Sequence, residues 1–131
     1  MVLPTFVRQA LAGEPITVFG DGTQSRSFTY VGDVVTALLQ LMIEPRAVGE
    51  VFNIGNVEEV SMIRLAEQIK AETASASPIV MIPYEQAYEA GFEDMPRRVP
   101  DITKLHALIG YEPKMGLDDT IRTVIEHVRQ K

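Results

Sequence analysis

The sequence predicts a mixed α/β domain, and three observations lead to this fold class. Short apolar, β-branched segments such as Ile16–Phe19 and Ile79–Ile82 have the composition of strands. The segment 117–128 instead places apolar residues at i, i+4, i+7, i+8 and i+11, the spacing of an amphipathic helix. Both kinds of segment alternate along 131 residues, a length typical of one domain, and 46% hydrophobic residues suffice for an ordinary core.

The first half of the chain is predicted to contain two helices and two strands. In order, these are a helix at 4–12, a strand at Ile16–Phe19, a strand at 27–31 and a helix at 33–43. Between the strands, Gly20 and Gly22 predict a hairpin turn, because glycine adopts positive φ at little cost. The second helix is expected to begin with Asp33 as its N-cap. It is apolar around most of its circumference, which is typical of a helix buried on several sides.

The second half is predicted to continue the alternation. In order, it comprises a strand at 51–54, a helix after Ser61, a polar linker at 73–77, a strand at Ile79–Ile82, a loop with one helical turn at 84–95, a helix from Asp101 to Ile109 and a last helix from Leu117. Ser61 and Asp101 are predicted N-caps, since their side-chain oxygens can accept backbone N–H groups. Gly110 is expected to end the helix before it.

Composition excludes several classes of function. A net charge of −6 argues against nonspecific nucleic-acid binding, which needs a basic surface. The absence of cysteine excludes disulfides and thiolate zinc sites, and it fits a cytoplasmic protein. His106 and His127 lie far apart in the sequence, so no metal site is expected. No apolar run approaches the roughly 20 residues that cross a bilayer, and 1–12 lacks the features of a signal peptide, so no membrane partner is expected.

Two arginines are the candidate ligand-binding residues. Arg26 follows the glycine-rich turn, and Arg98 comes shortly before a predicted helix. Their guanidinium groups stay charged and bind phosphate oxygens bidentately, so a pair of them suits a diphosphate. Taken alone, Arg26 is equally typical of a solvated strand residue. Arg98 could instead pair with Asp101 or with the acidic residues 93–94.

An ordered series of motifs carries a family resemblance. The series begins with Gly-Asp-Gly-x-x-x-Arg-x-Phe-x-Tyr-Val-x-Asp at 20–33, continues with Phe-Asn-Ile-Gly at 52–55 and ends with Arg-x-Pro-Asp-x-x-Lys at 98–104. It resembles the C-terminal half of the nucleotide-sugar epimerases and dehydratases, which are extended short-chain dehydrogenase/reductases. The resemblance covers residues 2–128. It implies a UDP-glucose 4-epimerase first, then a UDP-glucuronate decarboxylase, and also admits a 4,6-dehydratase.

The resemblance also implies a substrate site for a UDP-sugar. By direct match, Arg26 and Arg98 are expected to contact the diphosphate. The strand at Ile16–Phe19 resembles the one whose backbone and aromatic residue flank the uracil, which would place Val18 and Phe19 beside the base. Binding energy gathered on the nucleotide would position the sugar for reaction elsewhere.

The residues that the family uses for catalysis and for NAD do not occur in this sequence. It has no Gly-x-x-Gly-x-x-Gly turn of the kind that binds the cofactor. None of the four tyrosines has the lysine four residues later that completes the family's catalytic pair. We therefore expect no catalytic, cofactor-binding or metal residues here, and we expect NAD to bind only to the full-length enzyme.

The resemblance implies one UDP-sugar-binding domain over 1–131 that lacks most of a Rossmann domain. The helix and strand within about 33–55 would pack on that missing part, which is the expected partner. Without it, an unpaired apolar strand edge favours self-association or rearrangement of the strand. The alternative is a stand-alone, non-catalytic module that binds a nucleotide or a protein.

Overall fold

The computed structural model describes residues 1–87 and 94–130. The helices are α1 (Val2–Ala12), α2 (Val31–Met42), α3 (Met62–Glu72), α4 (Tyr84–Ala87), α5 (Thr103–Ile109) and α6 (Leu117–Arg129), with a 3-10 turn at Pro45–Ala47. The strands are β1 (Ile16–Phe19), β2 (Ser25–Ser27), β3 (Glu59–Ser61), β4 (Ile79–Ile82) and β5 (Arg97–Arg98). The mixed α/β class predicted from the sequence is confirmed.

Two small sheets organise the strands. In the first, β1 and β4 pair in parallel, with Ile16 opposite Ile79 and Phe19 opposite Ile82. Parallel neighbours need a long connection, which here includes α3. The second sheet orders three short strands as β3-β2-β5.

The described chain divides into two compact units. The first contains the described residues of 1–26, 60–97 and 121–131, and the second contains 27–59 and 98–120. In the first unit, α1 and α3 pack on each other and on β1. Its core side chains are apolar and almost fully buried: Phe6, Val7, Ile16, Val18, Leu65, Ala66 and Ile69. Gln9 supplements this packing, since its side chain bonds both the hydroxyl and the backbone N–H of Thr17.

The second unit has a smaller core built on α2 and α5. Ala37 and Leu105 are fully buried beside Tyr111, and Phe52 and Ile54 pack against them. The Tyr111 hydroxyl donates to the carbonyl of Gly55 at 3.1 Å. These contacts explain why 52–54 stays close to α2 without forming a strand.

The predicted hairpin at Gly20–Gly22 is wrong. Both glycines have positive φ, at 67° and 74°, but β1 pairs with β4 rather than with β2. The Gly20 N–H donates to the carbonyl of Ile82, which extends the β1–β4 ladder past the end of the strand. The predicted strand at 27–31 is also displaced, because β2 covers only Ser25–Ser27 and α2 already begins at Val31.

Asp33 is not the N-cap of α2, contrary to the sequence-based expectation. Tyr30 occupies that position, and Asp33 lies in the first turn. Its buried carboxylate accepts the backbone N–H groups of Lys114 and Met115, each at 3.1 Å. The aspartate therefore anchors α2 to a distant segment of the second unit.

The expectation that α2 is buried on several sides is wrong. Only Asp33 and Ala37 on this helix are buried. An exposed apolar stripe runs along its length at i, i+4, i+7, i+8 and i+11, and consists of Val31, Val35, Leu38, Leu39 and Met42. We call these five residues the α2 stripe.

The predicted strand at 51–54 is wrong as well, since these residues pair with no strand in the part of the chain that the structure describes. Val51 is exposed, and the Asn53 side-chain amide donates to the carbonyl of Asp101 at 3.3 Å. A strand needs a neighbouring strand to bond its backbone N–H and C=O groups. Here the side chains of Phe52 and Ile54 pack against the core of the second unit, but no described strand pairs with their backbone.

Most of the remaining elements are confirmed. The Ser61 hydroxyl caps α3 by accepting the Arg64 N–H, and Gly110 ends α5 with φ 67°. Asp101 accepts the Thr103 N–H at 2.9 Å, although the N-cap itself is Ile102. The helical turn expected within 84–95 is α4, while residues 88–93 lie outside the described chain.

Candidate anion-binding site around Arg26

Arg26 is a buried cation on β2. Its side chain is only 10% exposed, although a lone strand arginine would normally reach into solvent. One terminal nitrogen donates to the carbonyl of Ser25 at 2.6 Å, and the other donates to Oδ1 of Asp94 at 2.5 Å. A buried guanidinium is tolerated only when it is paired and hydrogen-bonded, and Asp94 supplies that pairing.

Asp94 is itself held by a tyrosine. The Tyr84 hydroxyl donates to Oδ2 of Asp94 at 3.2 Å, so each carboxylate oxygen accepts from a different side chain. Burial raises the pKa of Tyr84, and the neighbouring Asp94 charge raises this pKa further. The phenol is therefore neutral and able to donate throughout the ordinary pH range.

The glycine turn positions Tyr84. A Cβ atom added at Gly20 would overlap the Tyr84 ring, so only glycine lets the ring lie against the turn. Gly20 also has φ 67°, which other residues adopt at a cost. The turn predicted as a hairpin thus serves as the surface on which the Tyr84 ring rests.

Gln24 lies beside the same turn. Its side-chain nitrogen donates to the carbonyl of Phe19 at 2.8 Å. Its buried oxygen has no hydrogen-bond partner among the residues that the structure describes. No sequence motif singles out this residue, because the turn places its amide.

The two residues predicted beside the base have opposite environments. Val18 is fully buried in the core of the first unit, so its side chain cannot contact a ligand. Phe19 is 38% exposed and can offer its ring to one. Of this predicted pair, only the Phe19 side chain is accessible.

Arg98 differs from Arg26. It lies at the end of β5, is exposed and belongs to the second unit, whereas Arg26 belongs to the first. Asp94, one of the two acidic residues considered as a partner for Arg98, is bonded to Arg26 instead.

The pairing of Arg26 with Asp94, and the contact of Tyr84 with that carboxylate, were not predicted from the sequence. Arg26 and Asp94 are 68 residues apart, and no spacing rule connects them. Tyr84 is one of the four tyrosines that lack a lysine four residues later, and it belongs to none of the motifs at 20–33, 52–55 and 98–104. The signal that could have identified it is its place directly after β4, the strand that lies beside β1.

The arrangement does not fit a dinucleotide cofactor. In the family's cofactor site, a glycine-rich turn joins a strand to the N-terminus of a helix, where the pyrophosphate binds. Here the Gly20–Gly22 turn leads into β2. Residues 1–87 and 94–130 also contain no cluster of His, Asp or Glu side chains suited to a metal ion, and no helix there is long and apolar enough to span a membrane.

Comparison with known proteins identifies the family. The NAD dependent epimerase/dehydratase family matches residues 1–55. The chain is 40% identical over 129 residues to a UDP-N-acetyl-alpha-D-glucosaminuronate decarboxylase of Bacillus cytotoxicus, covering 98% of this chain and 40% of that protein. It is also 40% identical to UDP-glucuronic acid decarboxylase 4 of Arabidopsis thaliana, covering 99% of this chain and 28% of the relative. The chain thus spans less than half the length of these relatives.

Solved structures agree with the sequence relatives. UDP-glucose 4-epimerase of Thermotoga maritima, determined with UDP-glucose, superimposes with a TM-score of 0.85 at 32% identity, over 99% of this chain and 40% of that one. An epimerase of Methanothermobacter thermautotrophicus gives 0.88 at 26% identity, over 99% and 37%. The class is therefore that of the extended short-chain dehydrogenase/reductase fold. Within it, the chain belongs to the NAD dependent epimerase/dehydratase family.

Proposed function

We propose that this chain is the UDP-sugar-binding portion of an NAD-dependent nucleotide-sugar enzyme, in which Arg26 and Arg98 bind the diphosphate. The observation that carries the proposal is the buried Arg26 guanidinium, which is already bonded to a carboxylate. A carboxylate and a phosphate present similar oxygens to a guanidinium, so a group that binds one is suited to the other. Phe19, exposed at the end of β1, contacts the base.

The reaction of the full-length enzyme is either decarboxylation or 4-epimerisation of the sugar. Both relatives described above are decarboxylases at 40% identity, which favours decarboxylation of a UDP-hexuronate. The structure determined with UDP-glucose favours the epimerase, which the sequence motifs put first. Both reactions use the same nucleotide, so the role of Arg26 is common to them.

NAD and the catalytic groups belong to the rest of the enzyme in this proposal, and the α2 stripe packs on that part. Five exposed apolar side chains on one helix face form a surface that soluble proteins rarely leave uncovered. The relatives are more than twice as long as this chain. The part of the enzyme that corresponds to their additional length is the partner proposed for the α2 stripe.

Calorimetric titration with UDP tests the proposal, with uridine as the ligand that lacks phosphates. We expect UDP to bind more tightly than uridine, and Arg26→Met and Arg98→Ala each to remove most of that difference. Arg64→Ala is the matched control, since Arg64 is an exposed arginine whose side chain bonds Glu67. Equal binding of UDP and uridine would contradict the proposal. Stronger binding of a UDP-hexuronate than of UDP-glucose would favour a UDP-hexuronate as the substrate.

A further inference from the structure

One terminal nitrogen of the Arg26 guanidinium is engaged by Asp94. The side chain of Arg26 is only 10% exposed, whereas the Asp94 side chain is 27% exposed. The carboxylate is therefore the more accessible member of the pair.

The pairing is built into the first unit through several contacts. The Ser25 N–H donates to the carbonyl of Pro96 at 2.8 Å, which holds the segment carrying Asp94 alongside β2. The Tyr84 hydroxyl holds the second carboxylate oxygen, and Gly20 gives the Tyr84 ring its place. Contacts from three separate parts of the chain thus keep this carboxylate on the guanidinium.

A phosphate cannot use the same donor while Asp94 occupies it. If both anions stayed, two negative charges would share one buried cation, and like charges repel strongly where water is excluded. We propose that Asp94 is an internal competitor of the bound anion, and that its displacement from Arg26 sets the affinity of the site for phosphate oxygens. This inference rests on the proposed function, because it takes Arg26 as the group that binds the diphosphate.

Asp94→Asn tests the competition, since asparagine keeps the shape and removes the charge. We expect the variant to bind UDP on the order of tenfold more tightly than the unchanged chain, as for the loss of one competing bond to a charged group. Uridine binding should not change. Glu67→Gln is the matched control, because it removes one negative charge from the same unit without touching Arg26. It should leave UDP binding within about twofold of the unchanged chain.

Arg26→Met and the double variant with Asp94→Asn separate the two proposals. If Asp94→Asn gains affinity and the double variant loses the gain, the competition is supported. If Asp94→Asn binds UDP no more tightly while Arg26→Met binds it more weakly, the competition is wrong and the role of Arg26 stands. If Arg26→Met leaves UDP binding unchanged, the role of Arg26 is wrong. If neither the unchanged chain nor Asp94→Asn binds UDP, both the role of Arg26 and the competition by Asp94 are wrong.

Tyr84→Phe provides a second test if Asp94→Asn fails to fold. It keeps the ring against Gly20 and removes the hydroxyl that bonds Asp94. We expect UDP to bind a few-fold more tightly, since the carboxylate is easier to displace. Unchanged or weaker UDP binding in this variant would contradict the competition.

Discussion

Gly20 shows how one residue can serve both the backbone and the site. Its φ of 67° costs any other residue about 1 kcal/mol or more, and a Cβ would also overlap the Tyr84 ring. Gly13 has nearly the same φ, 71°, but a Cβ there meets nothing within 4 Å. A comparison of substitutions at the two glycines therefore separates the free-energy cost of backbone strain from the cost of overlap with the Tyr84 ring.

We predict that Gly20→Ala destabilises the chain more than Gly13→Ala, with the latter costing about 1 kcal/mol from backbone strain alone. The excess at Gly20 is the cost of moving the Tyr84 ring away from the turn. Urea unfolding followed by circular dichroism measures both variants. Equal free energies of unfolding would mean that the ring contact contributes nothing.

Tyr84 should titrate at unusually high pH. Burial raises its pKa above the ordinary value of about 10, and Asp94 adds to this effect. The folded state thus holds the phenol proton more tightly than the unfolded state. This contribution to stability is complete below about pH 10 and is lost as the pH rises through the folded-state pKa.

Absorbance at alkaline pH measures this titration, and Tyr84→Phe identifies the transition that belongs to Tyr84. We expect Asp94→Asn to lower the pKa of Tyr84 only part of the way, because burial is the larger cause. A Tyr84 transition that stays at the same pH in Asp94→Asn would contradict the contact between the two side chains.

At the scale of elements, local signals predicted the helices better than the strands. The helix after Ser61 and the last helix follow from caps and from apolar spacing, which act within a few residues. The strand predicted at 51–54 failed, because strands depend on partners that can lie anywhere in the chain. Arg26 could be named from the sequence, but its pairing with Asp94 spans 68 residues and could not.

Asp33 shows that contacts with distant residues also limit the prediction of helix ends. An aspartate at the start of an apolar helix is typical of an N-cap, yet here it anchors α2 to Lys114 and Met115. We predict that Asp33→Ala destabilises the chain by roughly 2–5 kcal/mol, since two part-buried backbone N–H groups lose their acceptor. Asp33→Asn keeps one acceptor oxygen and should cost clearly less. Urea unfolding compares the two, and equal costs would show that the two hydrogen bonds are not what Asp33 contributes.

At the scale of the whole molecule, the α2 stripe is a surface of exposed apolar side chains that lacks a covering partner among the described residues. Leu39 is 59% exposed and Met42 is 81% exposed, whereas Ala37 on the same helix is fully buried. Each exposed apolar side chain gains about 25 cal/mol for every Å² that it removes from water. The stripe therefore favours association with any complementary apolar surface, including a second copy of this chain.

We predict that the isolated chain self-associates through the α2 stripe, and that Leu39→Lys with Met42→Lys abolishes this association. Thr36→Lys with Gln40→Lys is the matched control, since it adds the same charge to exposed positions of the same helix that are outside the stripe. Light scattering coupled to size-exclusion chromatography, over a tenfold range of concentration, measures the mass.

The control should associate like the unchanged chain, because charge alone does not cover or uncover the stripe. A monomeric mass for the unchanged chain at every concentration would contradict the prediction. Loss of association in both double variants would assign the effect to charge and not to the apolar face.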